Sequence, residues 1–357
     1  DFVARLGGDE FAILLTDIPN SSAAGSMARK ILQEFEKPIK IQDQEIITTT
    51  SIGITVAPAD TTDPTTMIKN ADLAMYRAKE LGRNNYQFFT SEMNIEALGR
   101  LFLENELRQA IEKQQFEIHY QPIINMNTQT IAGFESLVRW NHPSKGLISP
   151  EQFIYIAEET GLIVPLGEII IKEACKEINK IHESGTAKPK VAVNLSVRQF
   201  QDPNLPEIIK TALQASGLPA KFLQLEITES MLLDDIDETI ELLKIMKNFG
   251  VSISIDDFGT GYSSLSYLKK LPIDVIKVDK SFVRDIPEDN NDMAITAAVI
   301  AMAHKLQLQV VAEGVETHEQ LNFLKNNNCD FIQGFLYSKP LPKERLNEII
   351  EEGVKPS

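Results

Sequence analysis

Five acidic residues, Glu135, Glu226, Asp256, Asp257 and Glu313, stand within or at the C-terminal ends of otherwise apolar runs, and Asn194 and Lys277 are placed in the same way. A bare carboxylate costs several kcal/mol to bury even after relaxation, so acids on strand ends need compensating cations. Lys277 is one. Carboxylates with a single Asn amide, and no His or Cys among them, form an all-oxygen donor set, which favours Mg2+ or Mn2+ over zinc. The adjacent pair Asp256-Asp257 closes the run Val251-Ser252-Ile253-Ser254-Ile255, so one carboxylate can bridge two ions while the other holds the second. Two ions roughly 3.5–4 Å apart can lower the pKa of a water between them and stabilise the attacking and leaving oxygens of a phosphodiester. The plainer account makes each acid a helix N-cap or a surface ion-pair partner, the commonest fate of Asp and Glu. It suits any one of them, but caps do not explain repeated placement on strand ends.

Such residues meet only if their strands share one opening. Beyond about residue 100, strand-like runs alternate with segments of helical apolar spacing. Strands are predicted at 116–124, 130–140, 191–196, 223–227, 252–256, 275–279, 309–313 and 331–335. Eight strands over about 250 residues suggest an α/β fold, a TIM-type (β/α)8 barrel whose C-terminal strand ends converge on one mouth. The connection Asn125–Gln129 is too short for a crossover helix, so strands one and two are expected to pair antiparallel and make the barrel irregular.

Upstream, Phe2–Arg5 and Phe11–Leu15 read as short strands about the turn Gly7-Gly8-Asp9-Glu10. A helix is predicted at about 22–37, a strand pair around 39–56, and a helix at 64–81 closed by Gly82. Thr90–Arg100 carries little β-branched content and leads into a helix predicted at 100–114. The expected organisation is therefore an α+β domain at 1–89, a linker at 90–99 and the barrel at 100–353.

The formal charge of −16 argues against direct DNA binding, because a grip on nucleic-acid backbones needs clustered Lys and Arg. A small phosphate ligand stays open, since divalent cations between carboxylates and phosphate reverse the local sign. Cys175 and Cys329 are too few for a disulfide framework or a zinc cluster, and the five His show no ligand spacing. No apolar run approaches the ~18 residues needed to span a bilayer, so the expected location is cytoplasmic. The opening Asp1-Phe2-Val3-Ala4-Arg5 reads like the middle of a longer protein.

The motifs around these residues carry a resemblance. They are Tyr120-Gln121-Pro122, Glu135-Ser136-Leu137-Val138-Arg139-Trp140, Ala192-Val193-Asn194-Leu195-Ser196, Leu225-Glu226-Ile227-Thr228-Glu229, the run Asp256–Ser264, Lys277-Val278-Asp279, Ala312-Glu313-Gly314-Val315-Glu316 and Gln333-Gly334-Phe335. In this order, residues 100–353 resemble the EAL family of cyclic di-GMP phosphodiesterases. The resemblance implies hydrolysis of cyclic di-GMP to linear pGpG with two ions, Mg2+ or Mn2+. Glu135, Asn194, Glu226 and Asp256 would hold one ion, and Asp256, Asp257 and Glu313 the other. Lys277 would contact the nucleophilic water and form the catalytic set with Glu135, Asp257 and Glu313. Arg139 would bind a substrate phosphate, with Gln121, Leu137, Glu316 and Gln333 contacting the rest of the substrate. Glu229 would anchor the loop Phe258–Ser264, coupling metal binding to a homodimer through this domain. Ser136 departs from the family's name-giving Ala. It replaces one small residue with another, so activity is expected to survive, provided its hydroxyl finds a hydrogen-bond partner.

Residues 1–89 resemble the C-terminal part of a GGDEF diguanylate cyclase domain, through Gly7-Gly8-Asp9-Glu10-Phe11, Thr50-Ser51-Ile52-Gly53-Ile54 and Ala71–Lys79 with Gly82-Arg83-Asn84. The strand bearing that family's other metal-binding Asp would precede Asp1, so these residues read as vestigial and are not expected to cyclise GTP. Alternatives remain: a catalytically silent cyclic di-GMP receptor, or a bifunctional cyclase and phosphodiesterase in a longer protein with an upstream sensory domain and an anchor at the inner membrane. Trp140 and Tyr155 read as packing residues, although the position of Trp140 after Arg139 keeps a guanine contact open.

Overall fold

The computed structural model describes residues 1–41, 44–232, 236–259 and 268–356. Two compact units divide the chain, Asp1–Leu103 and Glu104–Ser357.

In the first unit, Phe2–Gly7 and Glu10–Leu14 form an antiparallel hairpin whose turn carries Gly8 at φ +52°. Asn20 caps the helix Ser21–Phe35 by accepting from the Ala23 N–H, and Asp63 caps Pro64–Glu80 by accepting from that of Thr66. The expected strand pair resolves differently. Ile39–Ile41 pairs antiparallel with Gln44–Ile46, while Ile52–Ile54 pairs in parallel with Tyr86–Phe88. Helix Pro64–Glu80 lies so close to that parallel pair that a Cβ on Gly53 would fall 1.9 Å from the Ala71 carbonyl oxygen, so only glycine fits.

Residues 91–99, in the stretch expected to join the two domains, are helical and belong to the single helix Ser91–Glu112. The stretch is poor in β-branched residues but holds Glu92, Met93, Glu96, Ala97 and Leu98, all good helix formers.

In the second unit, the barrel strands are β1 (Phe116–Asn125), β2 (Ile131–His142), β3 (Lys190–Asn194), β4 (Leu223–Thr228), β5 (Ser252–Phe258), β6 (Val275–Val278), β7 (Gln309–Ala312) and β8 (Phe331–Ile332). They close in chain order. β1 runs antiparallel to both β2 and β8, while every pair from β2 to β8 is parallel. Two further short strands extend the sheet, Gly146–Ile148 on β2 and Leu341–Pro342 on β1.

Alternation along the strands sorts residues into two cores. Leu223, Leu225, Ile227, Ile253, Ile255, Ile276 and Val278 face outward and are buried with Ile171, Ala174 and Ile178 of helix Ile163–Ser184 and with Leu243 and Met246 of Ile236–Asn248. Each of the buried Leu, Ile, Val and Met side chains contributes about 1.5–3 kcal/mol of transfer free energy. Inside the barrel, Ile123, Ala192, Val275 and Val311 form an apolar layer with Phe331 against it. The next inward-facing residues toward the C-terminal strand ends are polar: Gln121, Asn194, Lys277 and Glu313. An apolar floor therefore lies beneath a charged mouth.

Candidate active site

Strand register brings the acids together. Gln121 of β1 pairs across from Glu135 of β2, Glu135 lies beside Ala192 of β3, and Asn194 lies beside Glu226 of β4. Thr228 is in register with Asp256 of β5. Between β5 and β6 the register breaks. Ile255 faces Ile276 and Phe258 faces Val278, so Asp256 and Asp257 together oppose the single residue Lys277. This is a β-bulge, and Asp257 takes the left-handed backbone at φ +53°, a conformation Asp tolerates better than most residues. In a regular strand the two adjacent carboxylates would point to opposite faces. The bulge lets both serve the mouth, and Asp256, Asp257 and Glu313 each offer an oxygen within 4.8 Å of the others.

Lys277 is the centre of the cluster. Its fully buried Nζ lies 2.7 Å from Glu313, 2.8 Å from Glu226, 3.1 Å from Asp256 and 3.8 Å from Glu135. Burial pulls its pKa down, but the charges of Glu135, Glu226, Glu313 and Asp256 outweigh that and hold it well above the ordinary lysine value. Burial raises Glu226 well above the usual carboxylate range, with Lys277 pulling the other way. Burial also pushes Glu313 up to about 8, and Asp257, beside Asp256 and Asp279, up to about 6.

Fully ionised, five carboxylates against one ammonium would leave four negative charges, which two divalent cations would balance. The raised carboxyl pKa values report the same shortage of positive charge. An all-oxygen donor set with an unmet demand for cations fits hard divalent ions.

Around this centre, Asn194 Nδ2 donates to Glu135 Oε1 at 2.7 Å. Gln333 and Gln121 are buried, and Gln333 Nε2 donates to both Glu135 Oε2 and Gln121 Oε1. Leu137 and Arg139 follow Glu135 on the same face of β2 and are half-buried, with Arg139 Nη1 donating to the Val138 carbonyl. Burial lowers the Arg139 pKa from its usual value, against the pull of Glu151, Glu135 and Glu117. Glu316 lies exposed beyond β7. Buried Glu229 accepts from the Gly259 N–H at 3.2 Å, so it grips the start of the loop after β5; residues 260–264 of that loop lie outside the described residues. Ser136 finds its partner, donating to the Ala192 carbonyl at 2.8 Å. Trp140 is not at the mouth surface. It is fully buried against Phe116 and Phe153, its indole N–H on Gln115. In the first unit Gly7, Gly8, Asp9, Glu10 and Phe11 lie exposed, and none of them belongs to a cluster of this kind among the described residues.

Two contributors had no role assigned from sequence. Asp279 hydrogen-bonds Asp257, favouring the proton on Asp257, while Ser281 helps keep Asp279 ionised. Gln224 donates to Ser254 at 3.1 Å and to Glu226 at 3.4 Å. Their placement on inward positions of β4 and just beyond β6 was the available signal.

Residues 104–340 match the EAL domain family, two-thirds of the chain. The chain belongs to the EAL domain family. Residues 1–85 match the diguanylate cyclase GGDEF domain. Among relatives, the cyclic di-GMP phosphodiesterase NbdA of Pseudomonas aeruginosa is 44% identical over 98% of this chain and 45% of its own length. The bifunctional diguanylate cyclase/cyclic di-GMP phosphodiesterase MucR of the same organism is 43% identical over 97% of this chain and 50% of its own. This EAL chain thus spans about half the length of those relatives. A solved structure described as PaMucR phosphodiesterase, c-di-GMP complex, superposes with a TM-score of 0.67 at 44% identity, covering 69% of this chain and 99% of that one. Among the described residues, no helix is long and apolar enough to cross a membrane.

Proposed function

We propose that the barrel mouth hydrolyses one 3′–5′ phosphodiester bond of cyclic di-GMP and releases linear pGpG, as a cyclic-guanylate-specific phosphodiesterase using Mg2+ or Mn2+. The observation that carries this reading is the convergence of five carboxylates and Asn194 around one buried ammonium at a single opening. Glu135, Asn194, Glu226 and Asp256 would hold one ion, and Asp256, Asp257 and Glu313 the other. When bound, such a pair lowers the pKa of water and offsets charge on the phosphoryl oxygens.

The chain's own groups do the positioning. Lys277 is a permanent cation whose three N–H groups meet Glu313, Glu226 and Asp256; the longest of these contacts, at 3.1 Å to Asp256, is the one that can turn toward the attacking water. As the water oxygen bonds to phosphorus, the P–O3′ bond breaks; one proton of the water ends on O3′, which leaves as a hydroxyl, and the other goes with the new phosphomonoester. Arg139, on the face of β2 that carries Glu135, offers its guanidinium to a non-bridging phosphate oxygen. Leu137 supplies an apolar wall beside it, and Glu316 an acceptor at the rim. Glu229 fixes the start of the loop after β5 through Gly259, the route by which a homodimer through the barrel unit would influence the mouth. An upstream sensory or membrane-anchored part of a longer protein belongs to the same proposal.

The test is incubation of the chain with cyclic di-GMP and Mg2+ or Mn2+, following linear product. Turnover abolished by EDTA or Glu135→Ala supports the enzyme; tight binding with no turnover supports a silent receptor instead. The GGDEF match at residues 1–85 favours a second reading, in which the longer protein also makes the dinucleotide, and GTP turnover measures that activity.

A further inference from the structure

We infer that Gln333, held by Gln121, is a positioning residue for Glu135 rather than a wall of the substrate pocket. The inference rests on the metal-dependent reading of the mouth given above.

The two amides form a relay from the segment after β8 to the cluster. Gln121 Nε2 donates to the Ser338 carbonyl at 3.2 Å, Gln121 Oε1 accepts from Gln333 Nε2 at 3.0 Å, and Gln333 Nε2 also donates to Glu135 Oε2. Chemistry fixes the direction of each amide. An ionised carboxylate and a backbone carbonyl can only accept, so both ends of the relay require N–H groups. Flipping either amide would set oxygen against oxygen. Both N–H groups of Gln333 are therefore committed, one to Gln121 and one to Glu135.

Burial points the same way. Gln333 is 4% exposed and Gln121 7%, leaving little surface for a ligand. Gln333 Oε1 is buried without a hydrogen-bond partner among the described residues, so the amide tolerates an orphaned acceptor in order to keep its donors where they are. Glu135 is thereby held from two sides, by Asn194 on Oε1 and by Gln333 on Oε2. A carboxylate pinned at both oxygens meets an incoming cation with little rotational freedom left to lose, which is how groups behind a metal ligand tune affinity.

The experiment uses the full chain and Mn2+ alone, titrated by electron paramagnetic resonance, with steady-state kinetics on cyclic di-GMP at Mn2+ saturating for each protein. Gln333→Met keeps the volume and removes the donor. The expected result is a loss of about tenfold or more in Mn2+ affinity, with KM within twofold of the unaltered chain. Mn2+ affinity within twofold of the unaltered chain overturns the inference, whatever happens to KM. Gln121→Met interrupts the relay one bond further out and should lower Mn2+ affinity less; if Gln333→Met does not fold, an unchanged affinity in Gln121→Met overturns the inference by itself. Failure of the unaltered chain to bind Mn2+ defeats the metal-dependent reading and this inference together. Binding by the unaltered chain with equal binding by the variants defeats this inference alone.

Discussion

Removing divalent cations should make the barrel lose stability as pH rises, the reverse of a protein held by ordinary carboxylate ion pairs. Glu313 carries the clearest share. Its carboxyl titrates near 4.5 in an unfolded chain and at about 8 in the folded, cation-free site, chiefly through burial and then through Asp256 and Glu135 opposing Lys277. Below pH 4.5 both states hold the proton. As pH rises past 4.5 the unfolded chain releases it while the folded chain keeps it, so unfolding gains ground until the folded group also ionises near pH 8. That span of roughly 3.5 pH units, at about 1.4 kcal/mol each, gives an upper bound of about 5 kcal/mol. Glu226 acts in the same direction, and so does Asp257, whose exposed side chain is screened by water. Lys277 has a raised pKa and keeps its stabilising charge throughout this window. Against a total stability of about 5–15 kcal/mol, even half of that loss is readily measured. The assay is urea unfolding from pH 5 to 8, in EDTA and in Mg2+, followed by the fluorescence of the single tryptophan, Trp140, which is buried in the barrel unit. EDTA samples should weaken steadily with pH, and Mg2+ should stabilise far more at pH 8 than at pH 5, because cations compete with protons for the same oxygens. Equal stability at both ends in EDTA, or an equal effect of Mg2+ at both, would refute the reasoning.

Lys277→Met removes the ammonium that three carboxylates contact. Turnover should fall at least a hundredfold, roughly the scale of a positioned proton-handling group, and cation-free stability at pH 8 should drop by about 3–5 kcal/mol, read by product assay and urea unfolding. Ser136→Ala should cost only about 0.5–1.5 kcal/mol, the worth of its bond to the Ala192 carbonyl, and leave kcat within twofold. Gly259→Ala forces a side chain onto φ +103° with its Cβ 2.9 Å from Phe282, so strain on the order of 1–3 kcal/mol should disturb the Glu229 contact and slow turnover at unchanged substrate concentration.

Much of the barrel was legible because alternation and apolar spacing are local signals. The short Asn125–Gln129 connection announced the antiparallel β1, and the acids announced themselves by standing on strand ends. What local pattern could not carry was geometry that breaks the pattern. Simple alternation would have sent Asp256 and Asp257 to opposite faces; the bulge opposite Lys277 corrects this, and its left-handed Asp257 has no sequence marker such as glycine. The predicted strand 331–335 stops at Ile332, and beyond it Gly334 packs against Val315 so closely that a Cβ would lie 2.0 Å from its carbonyl oxygen. The contact between Gln121 and Gln333 spans 212 positions, beyond any periodicity argument, and emerges only once the closed sheet sets β1 beside β8. The helix through 91–99 was illegible for a different reason: a lack of β-branched residues argues against a strand, and it says nothing against a helix.

Manganese anomalous scattering from crystals of the chain grown with Mn2+ addresses the central claim most directly. Two peaks are expected at the barrel mouth, one among Glu135, Asn194, Glu226 and Asp256 and the other among Asp256, Asp257 and Glu313. An empty mouth in crystals whose surface sites carry manganese would contradict the account.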